Sequence, residues 1–178
     1  MTLIAYAFLV LSAVGLGLSV ISHVCGLLGI AGPLGDVTWL LHIGIFVVWL
    51  PAVYAAKRLS KNVPQKDMWK AALRGCPVWM RYAIYGLFGY AIVNFLVFSL
   101  TAEKSQGSGP MPPSVVRGFS GHWMIFYGAA FAILYSYIQV GGKEEVRRCV
   151  AGHEVGPLAK FCEQCGQPVL EGASFGRG

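Results

Sequence analysis

The chain has 178 residues, of which 56% are hydrophobic and only 12% charged, with a formal net charge of +6. A soluble domain carries about 25% charged residues, so this deficit excludes an ordinary water-soluble fold and points to the bilayer as solvent. The positive balance does not read as nucleic-acid binding, because the basic residues gather beside apolar segments, and the five cysteines are not arranged as a secreted disulfide framework.

Four segments are long and apolar enough to cross ~30 Å of hydrocarbon, which takes roughly 20 residues. The first runs from about Leu3 to about Leu28. It lacks the basic flank of a signal peptide and exceeds the usual length of its apolar core, so it reads as a span. Small residues recur along it at four-residue spacing, Gly15 with Ser19 and Ser22 with Gly26, which permits close packing on a neighbour. The connection GIAGPLG is short and makes a tight antiparallel hairpin with the second span, Val37 to Ala56. Pro51 is expected to kink or end that span near its inner end.

The next connection holds Lys57, Arg58, Lys61, Lys66, Lys70 and Arg74, with Arg81 just inside the third span and Asp67 as its acid. Lys66, Lys70 and Arg74 recur every four residues, and Met68, Trp69, Ala72, Leu73 and Cys76 fall on or near the opposite face. Pro64 suits the first turn of such a helix and Gly75 its end. The pattern predicts an interfacial helix over 64–75, with Lys66, Lys70 and Arg74 toward anionic headgroups. A docking surface for an acidic partner is the alternative.

The third span, Trp79 to Leu100, contains Asn94. The loop TAEKSQGSGPMPPSVVRGFSG then carries only Lys104 and Arg117 as basic residues and is rich in Gly, Pro and Ser. The fourth span is read as Trp123 to Val140, and the tail beyond it opens GGKEEVRR. Lys and Arg mark the cytoplasmic side, so the basic connection, the tail and both termini are expected there. Trp39, Trp79, Tyr82 and Trp123 fall near predicted span ends, where amphipathic rings favour the interface. The expected fold is all-α: a four-helix transmembrane bundle over residues 1–142 and a cytoplasmic tail over 143–178.

The tail contains CVAGHEVGPLAKFCEQCG, residues 149 to 166. Cys149 and His153 are three residues apart, Cys162 and Cys165 two, with eight between the pairs. A Cys-x-x-Cys turn places two thiolates within reach of one tetrahedral ion, and three thiolates with one imidazole make a closed structural zinc site. Gly152 and Gly166 supply the backbone freedom that such knuckles need. The segment is too short and polar to build a core, so metal would have to fold it. The alternatives are a redox pair at Cys162 and Cys165, for which the usual βαβ surroundings are missing, and a disordered tail. KFCEQCG, preceded by C…GHE, resembles the short zinc ribbons at the ends of many prokaryotic proteins, in which the first knuckle is more often Cys-x2-Cys. The resemblance covers about residues 147 to 170. It implies structural zinc at Cys149, His153, Cys162 and Cys165 and nothing about the spans, for which a prokaryotic plasma membrane is the expected setting.

Three histidines share the outer side: His23 late in span one, His42 early in span two and His122 at the expected start of span four. Polar groups at membrane depth are expensive and raise a functional hypothesis. Converging imidazoles can bind copper or zinc, and two can ligate haem b axially, with Asp36 or Glu103 orienting a ring. The competing readings are separate structural histidines and a pocket for a quinone or similar ligand. The leading functional expectation is a non-enzymatic scaffold or accessory subunit of a larger membrane assembly, with the tail as its contact module. A redox protein using the outer histidines is the second. A monomeric carrier is disfavoured, because Asn94 and hydroxyls are the only polar groups at mid-membrane.

Overall fold

The computed structural model describes residues 2–30, 35–61, 63–101, 112–140, 148–156 and 159–169. Glu103, Lys104, the 141–147 stretch that opens the tail and the Asp36 side chain lie outside the described residues. The described residues are all-helical apart from turns and two isolated bridges in the tail. The helices are α1 (Thr2–Leu27), α2 (Leu40–Leu59), α3 (Met68–Ala72), α4 (Val78–Thr101) and α5 (Pro113–Val140). All except α3 are long and apolar enough to cross a membrane.

The last helix is the centre of the bundle. Fourteen residues of α5 are buried but only three of α4, because α1, α2 and α4 all pack on α5. The reason lies in its small residues. Gly118, Gly121 and Gly128 let neighbours come close: a Cβ on Gly118 would overlap the Phe98 ring, and one on Gly121 would sit 2.8 Å from Asn94 Nδ2. Against α1 the fit is reciprocal. Gly15, Ser19, Ser22 and Gly26 form its buried seam. A Cβ on Gly15 would overlap the Tyr127 ring, and one on Gly26 would lie 2.9 Å from the Arg117 backbone nitrogen. Lipid gives helices no hydrophobic reason to associate, so this close approach is what holds them together.

Polar ties pin the contacts. Asn94 donates to the Arg117 and Gly118 carbonyls at 3.0 and 3.2 Å, joining α4 to α5. The Tyr127 hydroxyl donates to the Leu41 carbonyl at 2.8 Å, joining α5 to α2. Within α1, Ser12 and Ser19 donate to carbonyls four residues back, which satisfies both hydroxyls inside the seam.

Several boundaries differ from the sequence reading. α5 begins at Pro113, ten residues before the expected 123, because Pro at a first turn is preorganised for helix. Trp123 therefore lies almost three turns inside the helix and is 0% exposed, a core residue where an interfacial anchor was expected. α2 runs through Pro51 to Leu59 without ending. The basic connection forms a 3-10 turn (Gln65–Asp67) and the five-residue α3 where a helix over 64–75 was expected.

The apolar side of that connection meets protein. Ala71, Ala72, Leu73 and Cys76 are buried, the last three within the main core. Gly75 N–H donates to Ser136 Oγ at 2.9 Å, and a Cβ there would sit 2.7 Å from the Ser136 carbonyl oxygen, so this glycine serves close approach. The Cys76 thiol donates to the Ala132 carbonyl, and burial pushes it up to about 11, which leaves it unreactive. Arg74 reaches the Leu59 carbonyl, and Arg81 reaches those of Cys76 and Arg74. These two cations close the turn itself. Lys66 and Lys70 are exposed, with Lys70 paired to Asp67 at 2.8 Å.

Candidate metal centre

The tail consists of two small knuckles. In the first, an isolated bridge joins Arg148 to Glu154, Cys149 N–H donates to the His153 carbonyl at 3.0 Å and Gly152 N–H to the Cys149 carbonyl at 2.8 Å. In the second, a bridge joins Phe161 to Pro168, Cys162 N–H donates to the Gln167 carbonyl and Gly166 N–H to the Cys162 carbonyl. Each turn closes through a left-handed glycine, Gly152 at φ 83° and Gly166 at φ 69°. A side chain there would set Cβ against the following carbonyl.

The knuckles bring Cys149, His153, Cys162 and Cys165 together, with their ligand atoms all within 4.8 Å of one another. Cys149 Sγ lies 3.6 Å from His153 Nδ1 and 3.6 Å from Cys165 Sγ, and Cys162 Sγ lies 3.7 Å from His153 Nδ1. A disulfide needs sulfurs about 2.05 Å apart, and all four tail and loop cysteines, like Cys25, are free. The group can hold a metal ion. Burial opposes ionisation of Cys162, but the N–H groups of Cys165 and Gln164 and the neighbouring thiols outweigh it and hold the thiol down at about 6. At Cys165 the N–H of Gln167 favours the thiolate, while burial and the adjacent sulfurs prevail and push it up. One thiolate is thus ready at neutral pH, and the set passes its remaining protons to solvent when a cation enters.

The three histidines expected on the outer side each have their own hydrogen-bond surroundings. His23, 5% exposed, meets Ser120 Oγ of α5 at 2.7 Å through Nδ1 and the Tyr90 hydroxyl of α4 through Nε2. Ser120 Oγ in turn donates to the Arg117 carbonyl at 3.0 Å. That bond assigns the proton of His23 to Nδ1 and leaves Nε2 to accept from Tyr90. Both ring nitrogens are engaged, so His23 ties three helices together. His42 accepts from Trp123 Nε1 at 3.1 Å through Nδ1. His122 Nδ1 is buried without a hydrogen-bond partner, and its ring stands edge-on to Phe95 at 4.8 Å. Among the described residues the tail cluster is the one group of three or more candidate ligands. The haem or copper expectation at His23, His42 and His122 draws no support from these contacts. Tyr90, Ser120 and Trp123, which fix two of the imidazoles, carry no spacing signal that marks them in the sequence.

Compared with known proteins, the chain matches no family model, no curated protein and no solved structure.

Proposed function

We propose that this chain is a membrane scaffold or accessory subunit whose tail is a short zinc ribbon, a cytoplasmic contact module made rigid by one structural zinc ion. The observation that carries this is the closed ligand set. Zn–S bonds of about 2.3 Å and Zn–N bonds of about 2.0–2.1 Å give tetrahedral edges of roughly 3.8 Å between sulfurs and 3.6 Å from sulfur to nitrogen. The separations of 3.6, 3.6 and 3.7 Å match those edges. Three soft thiolates favour zinc over the hard divalent cations. Bound zinc would supply folding energy, and with four protein ligands it keeps no open position for substrate.

The knuckles present apolar side chains outward: Val150 is 68% exposed and Phe161 63%. Such groups on a small rigid module suit a protein contact. The loop-and-tail end of the bundle carries Lys57, Lys61, Lys66 and Lys70 as exposed residues, which favours placing it in the cytoplasm of a prokaryotic cell, with Lys66 and Lys70 near anionic headgroups. The test is purification of the full chain from native membranes in mild detergent, with elemental analysis. About one zinc per chain and a co-purifying partner are expected, both lost in Cys162→Ser while the spans stay helical. Wild-type protein without zinc would overturn the ribbon. A zinc-loaded, lone monomer would overturn the scaffold.

A further inference from the structure

A cleft of about 390 Å³ is lined by both knuckles of the tail and by Pro64 of the connection ahead of α3. Ligand pockets run about 300–1,000 Å³, so this one has room for one or two side chains of a partner and not for a large group. Its apolar lining includes Pro64, Val155 and Phe161, and its polar lining is two carboxylates, Glu154 and Glu163, with the Gln164 amide.

The charge of this cleft runs against that of the chain. The net charge is +6, and Lys61, Lys66 and Lys160 stand exposed close along the chain to Pro64 and Phe161. Yet no Lys or Arg is among the described residues that line the cleft. Arg148 lies 3.7 Å from the Glu154 carboxylate, but both side chains are more than half exposed, so water weakens that pair. Glu163 is exposed and has no ion pair among the described residues. Phe161 and Glu163 flank the buried Cys162, whose carbonyl accepts the Gly166 N–H. That closed turn fixes where the ring and the carboxylate emerge.

We infer that this cleft takes an arginine side chain of a partner protein, flanked by an apolar residue. The two carboxylates ask for a cation. A guanidinium is planar, so it can lie on the Phe161 ring and donate two parallel N–H bonds to a carboxylate, which an ammonium cannot do. Pro64 and Val155 suit the apolar neighbour. Anionic headgroups would be repelled by Glu154 and Glu163, so the exposed Phe161 belongs to a protein contact and not to the inner leaflet. This deepens the contact-module reading of the tail and rests on it.

The experiment uses the zinc-loaded full chain in phosphatidylcholine nanodiscs, whose neutral surface does not attract a basic peptide. The probe is the peptide Gly-Leu-Arg-Leu-Gly, amidated at its C-terminus and carrying an uncharged dye at its N-terminus, read by fluorescence anisotropy. Saturable binding at a single site is expected. Affinity should fall about fivefold or more in Glu163→Gln, which keeps the shape and removes the charge, and in Phe161→Leu, which stays apolar and removes the ring. Zinc content should be unchanged in both. The same peptide with Lys in place of Arg should bind wild type about threefold more weakly or worse. No saturable binding to wild type, equal binding of a peptide with Gln in place of Arg, or unchanged affinity in both variants would overturn the inference. A chain that co-purifies with a partner through its zinc-loaded tail but ignores the peptide keeps the contact module and loses this occupant. If wild type ignores the peptide and Glu163→Gln splits a dimer of the chain in detergent, the cleft belongs to a second copy and the partner assignment falls.

Discussion

Replacing Asn94 by Leu tests the account of how α4 is held. Asn94 is buried in the C-terminal half of α4, and its amide donates to two carbonyls of α5. Leu has similar volume, so no large cavity opens, and the loss is that of the two bonds. The acceptors are not orphaned: both carbonyls lie within a continuous helix, and that of Arg117 also accepts from Ser120 Oγ. The full penalty for stranding a buried polar group therefore does not apply. Interhelical hydrogen bonds in membranes average about 0.6 kcal/mol and reach about 1.7. Two of them predict a loss of about 1–2 kcal/mol, a factor of roughly 5–30 in the folded population. Unfolding by SDS in mixed micelles, followed by circular dichroism, reads this directly. Ser99→Ala is the control, because Ser99 is exposed and bonds only its own helix at Phe95, so a change within about 0.5 kcal/mol is expected. If Asn94→Leu unfolds at the same SDS fraction as the wild type, or a higher one, α4 is not held by this tie.

Other perturbations have equally definite outcomes. Gly75→Val forces side-chain atoms into the Ser136 backbone and should lower stability by about 1–3 kcal/mol in the same SDS assay, as overpacking does. Tyr127→Phe keeps the ring in its slot against Gly15 and removes the bond to Leu41, so a loss of about 0.6–1.5 kcal/mol is expected. Gly166→Ala places Cβ at φ 69° and should weaken zinc binding about tenfold in a chelator competition, while SDS unfolding of the bundle stays unchanged. Zinc affinity should also fall more steeply with acid below about pH 6 than above it. Above that pH Cys162 is already ionised and zinc displaces no proton from it; below, one further proton must leave for each ion bound. A competition titration with one slope from pH 8 to pH 5 would contradict this.

The number of spans, the basic end and the tail ligands were legible in the sequence because each is a local property. Apolar length decides whether a segment can cross, and a knuckle of five or six residues folds on its own turn, so Cys149, His153, Cys162 and Cys165 announce one another by spacing. Gly15, Ser19, Ser22 and Gly26 also announced a close-packed face, and the structure supplies its partner, α5. What the spacing could not tell is which way each helix turns. In lipid both the protein-facing and the lipid-facing sides are apolar, so hydrophobic periodicity loses the contrast that marks a core in water. Only through-space packing made α5 the central helix, drew Trp123 from the interface into the interior and turned Arg74 and Arg81 onto the chain's own carbonyls. The same packing set the neighbours of each of the three histidines. It gave His23 to Ser120 and Tyr90 and His42 to Trp123, and left His122 Nδ1 buried without a partner, because rotation about a helix axis is decided by neighbours that lie tens of residues away along the chain.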